Sequence, residues 1–280
     1  MLFATFLAVP FTAIGRAFTD LRFLGAVLVV NFLIVPVVVF GLSRVVAGHQ
    51  ALLLGVLLVL LTPCVDYVIV FSGLAGGAAD RLLAAAPVLM LAQMLLLPGY
   101  LWAFVGAETV ARVEIAPFVE AFLFLIVLPL AAAAAVQWAA PQAVAARRIT
   151  AAMSAGMVPL MMATLVIVIA SQIRGVGEEL TTLITVVPLY VAFLVLMVPI
   201  GLVAARVARL DMPATRALVF SAATRNSLVV LPLALALPAS LALTPLVVVT
   251  QTLVELVGMV IFVRLIPRLV PRRPEALNPP

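Results

Sequence analysis

Two stretches decide the reading of this chain: TPCVDYVIVF at 62–71 and ATRNSLVVLP at 223–232. Each lies inside an apolar run long enough to cross a bilayer. Each also carries a charge, Asp66 in the first and Arg225 in the second, beside proline and polar residues. A third charge, Glu255, sits mid-run in TQTLVELVGM (250–259). Charges at such depth cost several kcal/mol unless paired or hydrated. Helices are interrupted in mid-membrane where the backbone lines a solute path. The pattern predicts the core of a membrane transporter.

Composition agrees. The 280 residues are 66% hydrophobic and 10% charged, with mean hydropathy +1.36. Soluble domains run at about 45–50% apolar and about 25% charged. A net charge of +5 would suggest nucleic acid if the arginines were clustered, but they fall in short loops and the tail, so a lipid bilayer is the expected partner and nucleic acid is not. One cysteine excludes an internal disulfide. The chain opens on an apolar stretch with no basic segment before it, unlike a cleavable signal.

Punctuation by charge, glycine and proline gives nine expected spans, roughly 1–15, 23–43, 51–74, 82–105, 115–138, 152–171, 180–204, 214–236 and 244–263. Most reach the roughly 20 residues that a helix needs to cross about 30 Å of hydrocarbon; the first is short. All the basic residues are arginine. Loops after odd-numbered spans and the tail hold eleven: Arg16, Arg22, Arg81, Arg147, Arg148, Arg206, Arg209, Arg264, Arg268, Arg272 and Arg273. Loops after even-numbered spans hold only Arg44, Arg112 and Arg174. This bias predicts a multi-pass protein of the cell membrane with its C-terminus in the cytoplasm. Nine spans would leave the N-terminus outside, and a further helix before residue 1 would bring both termini inside.

An internal repeat points the same way. A shift of 158 residues lays Pro87 on Pro245, Gln93 on Gln251 and the segment 62–71 on 220–229. Paired interrupted helices in corresponding halves mark an inverted-repeat transporter, and a five-plus-five repeat would need one helix before residue 1. Trp102 and Trp138 fall near span ends, where interfacial anchors belong. The tail after Arg264 is basic and then proline-rich.

In the first stretch Pro63 lacks an N–H, so the carbonyl of Val59 should lose its helical partner. Thr62, Asp66, Tyr67 and Ser72 supply polar groups in the same half. A kink with local polar patching is the plainer reading. In the second stretch Ser221, Thr224, Arg225, Asn226 and Ser227 form a polar island, and Pro232 should free the carbonyl of Leu228. Arg225 cannot deprotonate and needs a carboxylate, several carbonyls or water. A buried Arg225–Asp66 pair could pin the helix crossing without touching a solute. Gln251, Glu255 and Gly258 share one helical stripe at i, i+4 and i+7, which must face the protein core. If Arg225 pairs with Asp66, Glu255 is left as a desolvated acid able to carry a proton; if Arg225 pairs with Glu255, Asp66 takes that role. Cys64 is the one soft ligand near these groups, enough for transient coordination of a thiophilic solute but not for a thiolate cage; read blandly, it is a small buried hydrophobe.

Enzyme readings have little to stand on. His49 is the sole histidine, which rules out a histidine pair for zinc and leaves no base for a buried nucleophile. No phosphate-binding loop or dinucleotide fingerprint occurs. Gly73 and Gly77 have helix-packing spacing, but Gly76 and Asp80 beside them favour a helix end.

The runs PCVDYVIVF, ATRNSLVVLPLALALP and QTLVELVGM resemble the bile acid/sodium symporter superfamily, and within it the arsenite permeases of arsenical resistance. The resemblance covers roughly residues 1–270 and nine of that fold's ten helices, lacking the first. It implies an all-α inverted-repeat membrane fold in which two broken helices, here 51–74 and 214–236, cross within a core domain beside a panel domain. The implied organisation is a partial panel at 1–20, the first core repeat at 21–106, panel at 107–177, the second core repeat at 178–270 and a disordered tail at 271–280. In the arsenite permeases a cysteine of the first crossing helix and a glutamate of the last helix matter, and Cys64 and Glu255 stand at the matching places. The sodium-coupled branch has an acidic residue shortly before a Gln-Asn-Ser run. This chain has Arg225-Asn226-Ser227, with the acidic position near Ser221, so the resemblance implies a dismantled sodium site partly filled by a fixed cation. It also implies no cofactor, no resident metal and no enzymatic activity.

The expected function is proton-coupled antiport, exporting arsenite or antimonite. Cys64, Asp66, Arg225, Asn226 and Ser227 are the expected solute-binding residues, and Glu255 with Gln251 the expected proton-coupling pair. A sodium- or proton-coupled transporter of small organic anions, with Arg225 binding a carboxylate or sulfonate, is the alternative. A membrane sensor or partner subunit that does not transport is a third.

Overall fold

The computed structural model describes residues 18–105, 123–140 and 179–271 continuously, with isolated positions between 3 and 15 and between 143 and 170. Most of the expected spans 1–15 and 152–171, most of the expected panel segment 107–177 and the tail 272–280 lie outside the described residues.

Everything described is helix or the turns between helices. Helix α1 (Leu21–Val29) runs through a π turn (Val30–Ile34) into α2 (Val35–Ser43). Helix α3 (Gln50–Leu60) and α4 (Tyr67–Leu74) flank the first break, and α5 (Ala79–Val105) follows. A second π turn (Leu123–Val127) leads into α6 (Leu128–Ala139). Helix α7 (Val187–Val207) precedes α8 (Met212–Ala223) and α9 (Ser227–Leu235), which flank the second break, and α10 (Leu243–Leu269) closes the described chain.

Among the described residues four continuous helical stretches are long and apolar enough to span a membrane: Leu21–Val46, Ala79–Val105, Thr181–Val207 and Ala239–Leu269. They coincide with four expected spans. The expected spans 51–74 and 214–236 each consist of two short helices instead, α3 with α4 and α8 with α9. Only together can the two pieces reach across a bilayer, so each break falls at membrane depth.

The breaks are joined to each other. The Cys64 N–H donates to the Thr224 carbonyl (3.1 Å) and the Asn226 N–H to the Thr62 carbonyl (2.8 Å), so Pro63 and Arg225 face each other in a short antiparallel bridge. Interrupting two helices exposes N–H and C=O groups that hydrocarbon cannot satisfy, and crossing them lets each supply the other. The paired positions are 162 residues apart, four more than the sequence shift of 158. Thr62 also alters the expected effect of Pro63. The Val59 carbonyl is not left bare, because the Thr62 N–H reaches it at 3.4 Å and the Thr62 hydroxyl hydrogen is shared between it and the Leu58 carbonyl (both 3.0 Å).

Small residues let the surrounding helices close on the crossing. A Cβ at Gly55 on α3 would lie 2.7 Å from the Cβ of Val247 on α10, and one at Gly201 on α7 would lie 3.1 Å from the Cα of Val219 on α8. Such contacts replace the hydrophobic drive that is absent between helices in lipid. Helix α4 ends at Leu74 and turns through Gly76 at φ 68°, a left-handed conformation suited to glycine. Gly73 and Gly77 therefore flank a helix end, as their neighbours indicate. Trp102 and Trp138 are exposed.

Candidate functional site

The site is the crossing itself. Arg225 is completely buried, and its guanidinium meets carbonyls rather than acids. Nη2 donates to the carbonyls of Ser221 (2.7 Å) and Ala222 (2.6 Å) and to Asn31 Oδ1 (2.8 Å), and Nη1 reaches the Leu60 carbonyl at 3.4 Å. The group also lies 5.4 Å from the centroid of the Phe193 ring. Ser221 and Ala222 end α8 and Leu60 ends α3, so one cation serves the electronegative C-termini of both interrupted helices. Among the described residues no ion pair joins Arg225 to Asp66 or Glu255. Of the partners the sequence left open for Arg225, the structure has the carbonyls: the helix breaks supply enough of them to hold the charge without a carboxylate.

Glu255, 1% exposed, approaches Arg225 through the backbone instead. Its Oε2 accepts from the Arg225 N–H (2.8 Å) and from Gln251 Nε2 (2.5 Å), while Oε1 lies 2.5 Å from the Tyr67 hydroxyl. Tyr67 also reaches the Arg225 carbonyl at 2.7 Å. Helix α10 thus presents Gln251 and Glu255, one turn apart, to the broken segment of α8–α9, while α4 contributes Tyr67 from the other break. The shared stripe read from the sequence is the face that packs on the crossing, and Gly258 on it lies against Leu194 of α7, 2.7 Å from where a Cβ would be.

The other expected residues sit at the same place. Cys64 is 1% exposed and close enough to Asp66 and Glu255 for both to influence its thiol electrostatically. Asp66 stands at the N-terminus of α4 without capping it, and its Oδ2 is buried with no protein partner. Asn226 caps α9 by accepting from the Val229 N–H (3.3 Å), which leaves its Nδ2 unpartnered, as are Ser227 Oγ and Gln251 Oε1. Buried polar atoms are almost always satisfied in folded proteins. With Arg225 Nε, five such atoms lie on these two breaks and on α10, which makes the crossing the candidate site.

Two contributors, Asn31 and Phe193, are not singled out by the sequence, and a third, Tyr67, is read there only in part. Asn31 anchors Arg225 and also donates to the Val27 carbonyl (2.9 Å) and Ser221 Oγ (3.1 Å). It lies in the π turn between α1 and α2, a distortion common at functional sites, and a lone Asn in VLVVNFLIVP was its visible signal. Phe193 had no such signal. Tyr67 was visible as a polar group, but nothing in one sequence shows that it meets Glu255.

At one end of the bundle a second set of contacts ties the halves together. Asp20 caps α1 by accepting from the Phe23 N–H (3.0 Å), Asp211 caps α8 by accepting from the Ala214 N–H (2.9 Å), and Arg81 bridges both carboxylates at 3.0 and 2.7 Å. Arg216, near the start of α8, donates to the carbonyls of Val270 (2.7 Å) and Ala75 (2.7 Å) at the ends of α10 and α4.

Residues 1–179 match the family model of the sodium bile acid symporter family, and the chain belongs to that family. No curated protein matches the chain. Membership makes this a multi-pass membrane protein of a solute-transporter family, in keeping with the helical structure of the described residues and the four long apolar helices among them.

Proposed function

Starting from membership of that family, we propose that the chain is a secondary active transporter that exchanges protons for a small thiophilic oxyacid, arsenite or antimonite, and so exports it. The observation that carries this reading is the position of the Arg225 guanidinium. In transporters built on broken helices, unwound carbonyls and half-helix C-termini coordinate the coupling cation. Here the carbonyls of Ser221, Ala222 and Leu60 already hold a permanent cation from the chain itself. A sodium ion would have to displace a side chain that cannot lose its charge. A proton needs no such cage, and Glu255, buried beside the break, can carry one.

The same contacts weigh against the organic-anion reading. Both Nη atoms of Arg225 face protein acceptors and Nε alone has none, so most of the guanidinium is already committed within the protein rather than free to grip a carboxylate. The unpartnered atoms of Asp66, Asn226, Ser227 and Gln251 suit a neutral polyol better than an anion, and the nearby Cys64 thiol suits a soft centre. In this reading Cys64, Asp66, Asn226 and Ser227 bind the solute, Arg225 holds the crossing together, Glu255 with Gln251 carries the proton, and the C-terminus faces the cytoplasm. Uptake of arsenite into everted vesicles under an imposed ΔpH tests it. Uptake driven by ΔpH in the absence of sodium is the expected result, and uptake that requires a sodium gradient overturns it.

A further inference from the structure

One hydroxyl hydrogen cannot serve two acceptors at full strength, yet the Tyr67 oxygen lies 2.7 Å from the Arg225 carbonyl and 2.5 Å from Glu255 Oε1. A tyrosine hydroxyl has a single hydrogen, and a backbone carbonyl can only accept. If Tyr67 donates to Glu255, the 2.7 Å approach to the carbonyl sets two oxygens together with no hydrogen between them. If Tyr67 donates to the carbonyl, the 2.5 Å contact needs its hydrogen from Glu255, which must then be a carboxylic acid. The second arrangement gives the Tyr67 hydroxyl, both Glu255 oxygens and the Arg225 carbonyl a partner. Glu255 Oε1–H donates to Tyr67, Tyr67 donates to the Arg225 carbonyl, and Oε2 accepts from the Arg225 and Gln251 N–H groups. No backbone N–H among the described residues donates to that carbonyl, so Tyr67 is its donor.

We propose that the Tyr67 hydroxyl is a two-position switch through which the proton on Glu255 controls whether the Arg225 carbonyl can accept a bond from a transported solute. This rests on the proton-exchange reading above and gives it a mechanism. With Glu255 protonated, the carbonyl is occupied by Tyr67. When Glu255 passes its proton to water on one side of the membrane, the carboxylate takes the Tyr67 hydrogen and the carbonyl at the helix break loses its donor. It then accepts from a solute bearing O–H groups, such as the neutral triol form of arsenite, next to the unpartnered atoms of Asn226 and Ser227. Solute binding and protonation of Glu255 therefore oppose each other, as antiport requires, and the opposition is reciprocal. The titratable and charged groups around Glu255 fit this picture: Tyr67 and Cys64 come from the first break, with Asp66 beside them, and Arg225 from the second holds its charge toward the carbonyls. Tyr67 is a positioning residue. Its ring stays edge-on to Phe71, centroids 6.2 Å apart, whichever way the hydrogen points.

Infrared spectroscopy of the purified full chain in liposomes tests the switch without any solute. Wild type at neutral pH should show a protonated-carboxyl C=O band that disappears in Glu255→Gln, persists in Asp66→Asn and shifts in Tyr67→Phe. Absence of any band removed by Glu255→Gln, or a band unmoved by Tyr67→Phe, overturns the proposal. Should Tyr67→Phe not fold, wild type carrying ring-labelled tyrosine decides the matter. A tyrosine C–O stretch must change in step with loss of the carboxyl band as pH is raised, and no such co-titration refutes the switch. In a transport arm with arsenite as probe, Tyr67→Phe should keep exchange between equal solute pools but lose about ten-fold in ΔpH-driven accumulation, roughly the factor carried by one hydrogen bond. Full ΔpH coupling in that variant overturns the switch. If wild type carries no arsenite at all, the proposed substrate fails while the spectra still decide the role of Tyr67.

Discussion

Replacing Arg225 with alanine removes a cation that holds two broken helices by their C-terminal carbonyls. Nη2 has two hydrogens for three acceptors at 2.6–2.8 Å, so it supplies about two full charge-assisted bonds, one of them shared; the 3.4 Å contact of Nη1 to Leu60 adds little. At about 1.5–3 kcal/mol for each bond to a charged group, the loss is about 3–6 kcal/mol. The variant leaves bare carbonyls but no uncompensated acid, because no carboxylate among the described residues pairs with the side chain. Neutralising an acid should therefore rescue nothing. Thermal unfolding of the purified protein in detergent should show Arg225→Ala strongly destabilised, with Asp66→Asn and Glu255→Gln each adding their own effect and no recovery. Asn31→Ala combined with Arg225→Ala should cost less than the sum of the two, since they share a bond. A wild-type melting temperature for Arg225→Ala, or recovery on adding Asp66→Asn, would refute the carbonyl-capping account.

Three further outcomes follow from other contacts. Cys64→Ser should fold and reach the membrane normally yet lose arsenite resistance in cells, because a hydroxyl is a poor ligand for trivalent arsenic; retained resistance removes the thiol from the site. Arg81→Ala breaks two partly exposed ion pairs and should cost only about 0–2 kcal/mol, less at high salt, measured as a salt-dependent shift in melting temperature. Gly55→Ala would drive a Cβ to 2.7 Å from the stiff Val247 side chain and should destabilise by about 1–3 kcal/mol, visible as reduced yield of monodisperse protein.

Much of this architecture could be read from spacing alone. Pro63 with Asp66, and Arg225 among polar neighbours, announced both breaks, because a membrane helix tolerates such residues only where its backbone is interrupted. The stripe of Gln251, Glu255 and Gly258 likewise announced the inward face of α10. The partners of the charges could not be read. A sequence lists acids as obvious counterions for Arg225, whereas crossing two helices creates carbonyl acceptors that have no side-chain signature. For the same reason Glu255 meets the backbone N–H of Arg225 rather than its guanidinium. The offset of 158 residues fell four short of the paired positions because two matched residues on one helix do not fix the register of another.

Coupling is the central claim, and one measurement addresses it directly: arsenite uptake into everted vesicles holding wild type or Glu255→Gln, under imposed ΔpH or an imposed sodium gradient. Wild type should accumulate arsenite on ΔpH alone and be indifferent to sodium. Glu255→Gln, fixed in the uncharged form, should fail to accumulate it under either gradient. Sodium-driven uptake by wild type, or ΔpH-driven accumulation that survives Glu255→Gln, would contradict the account.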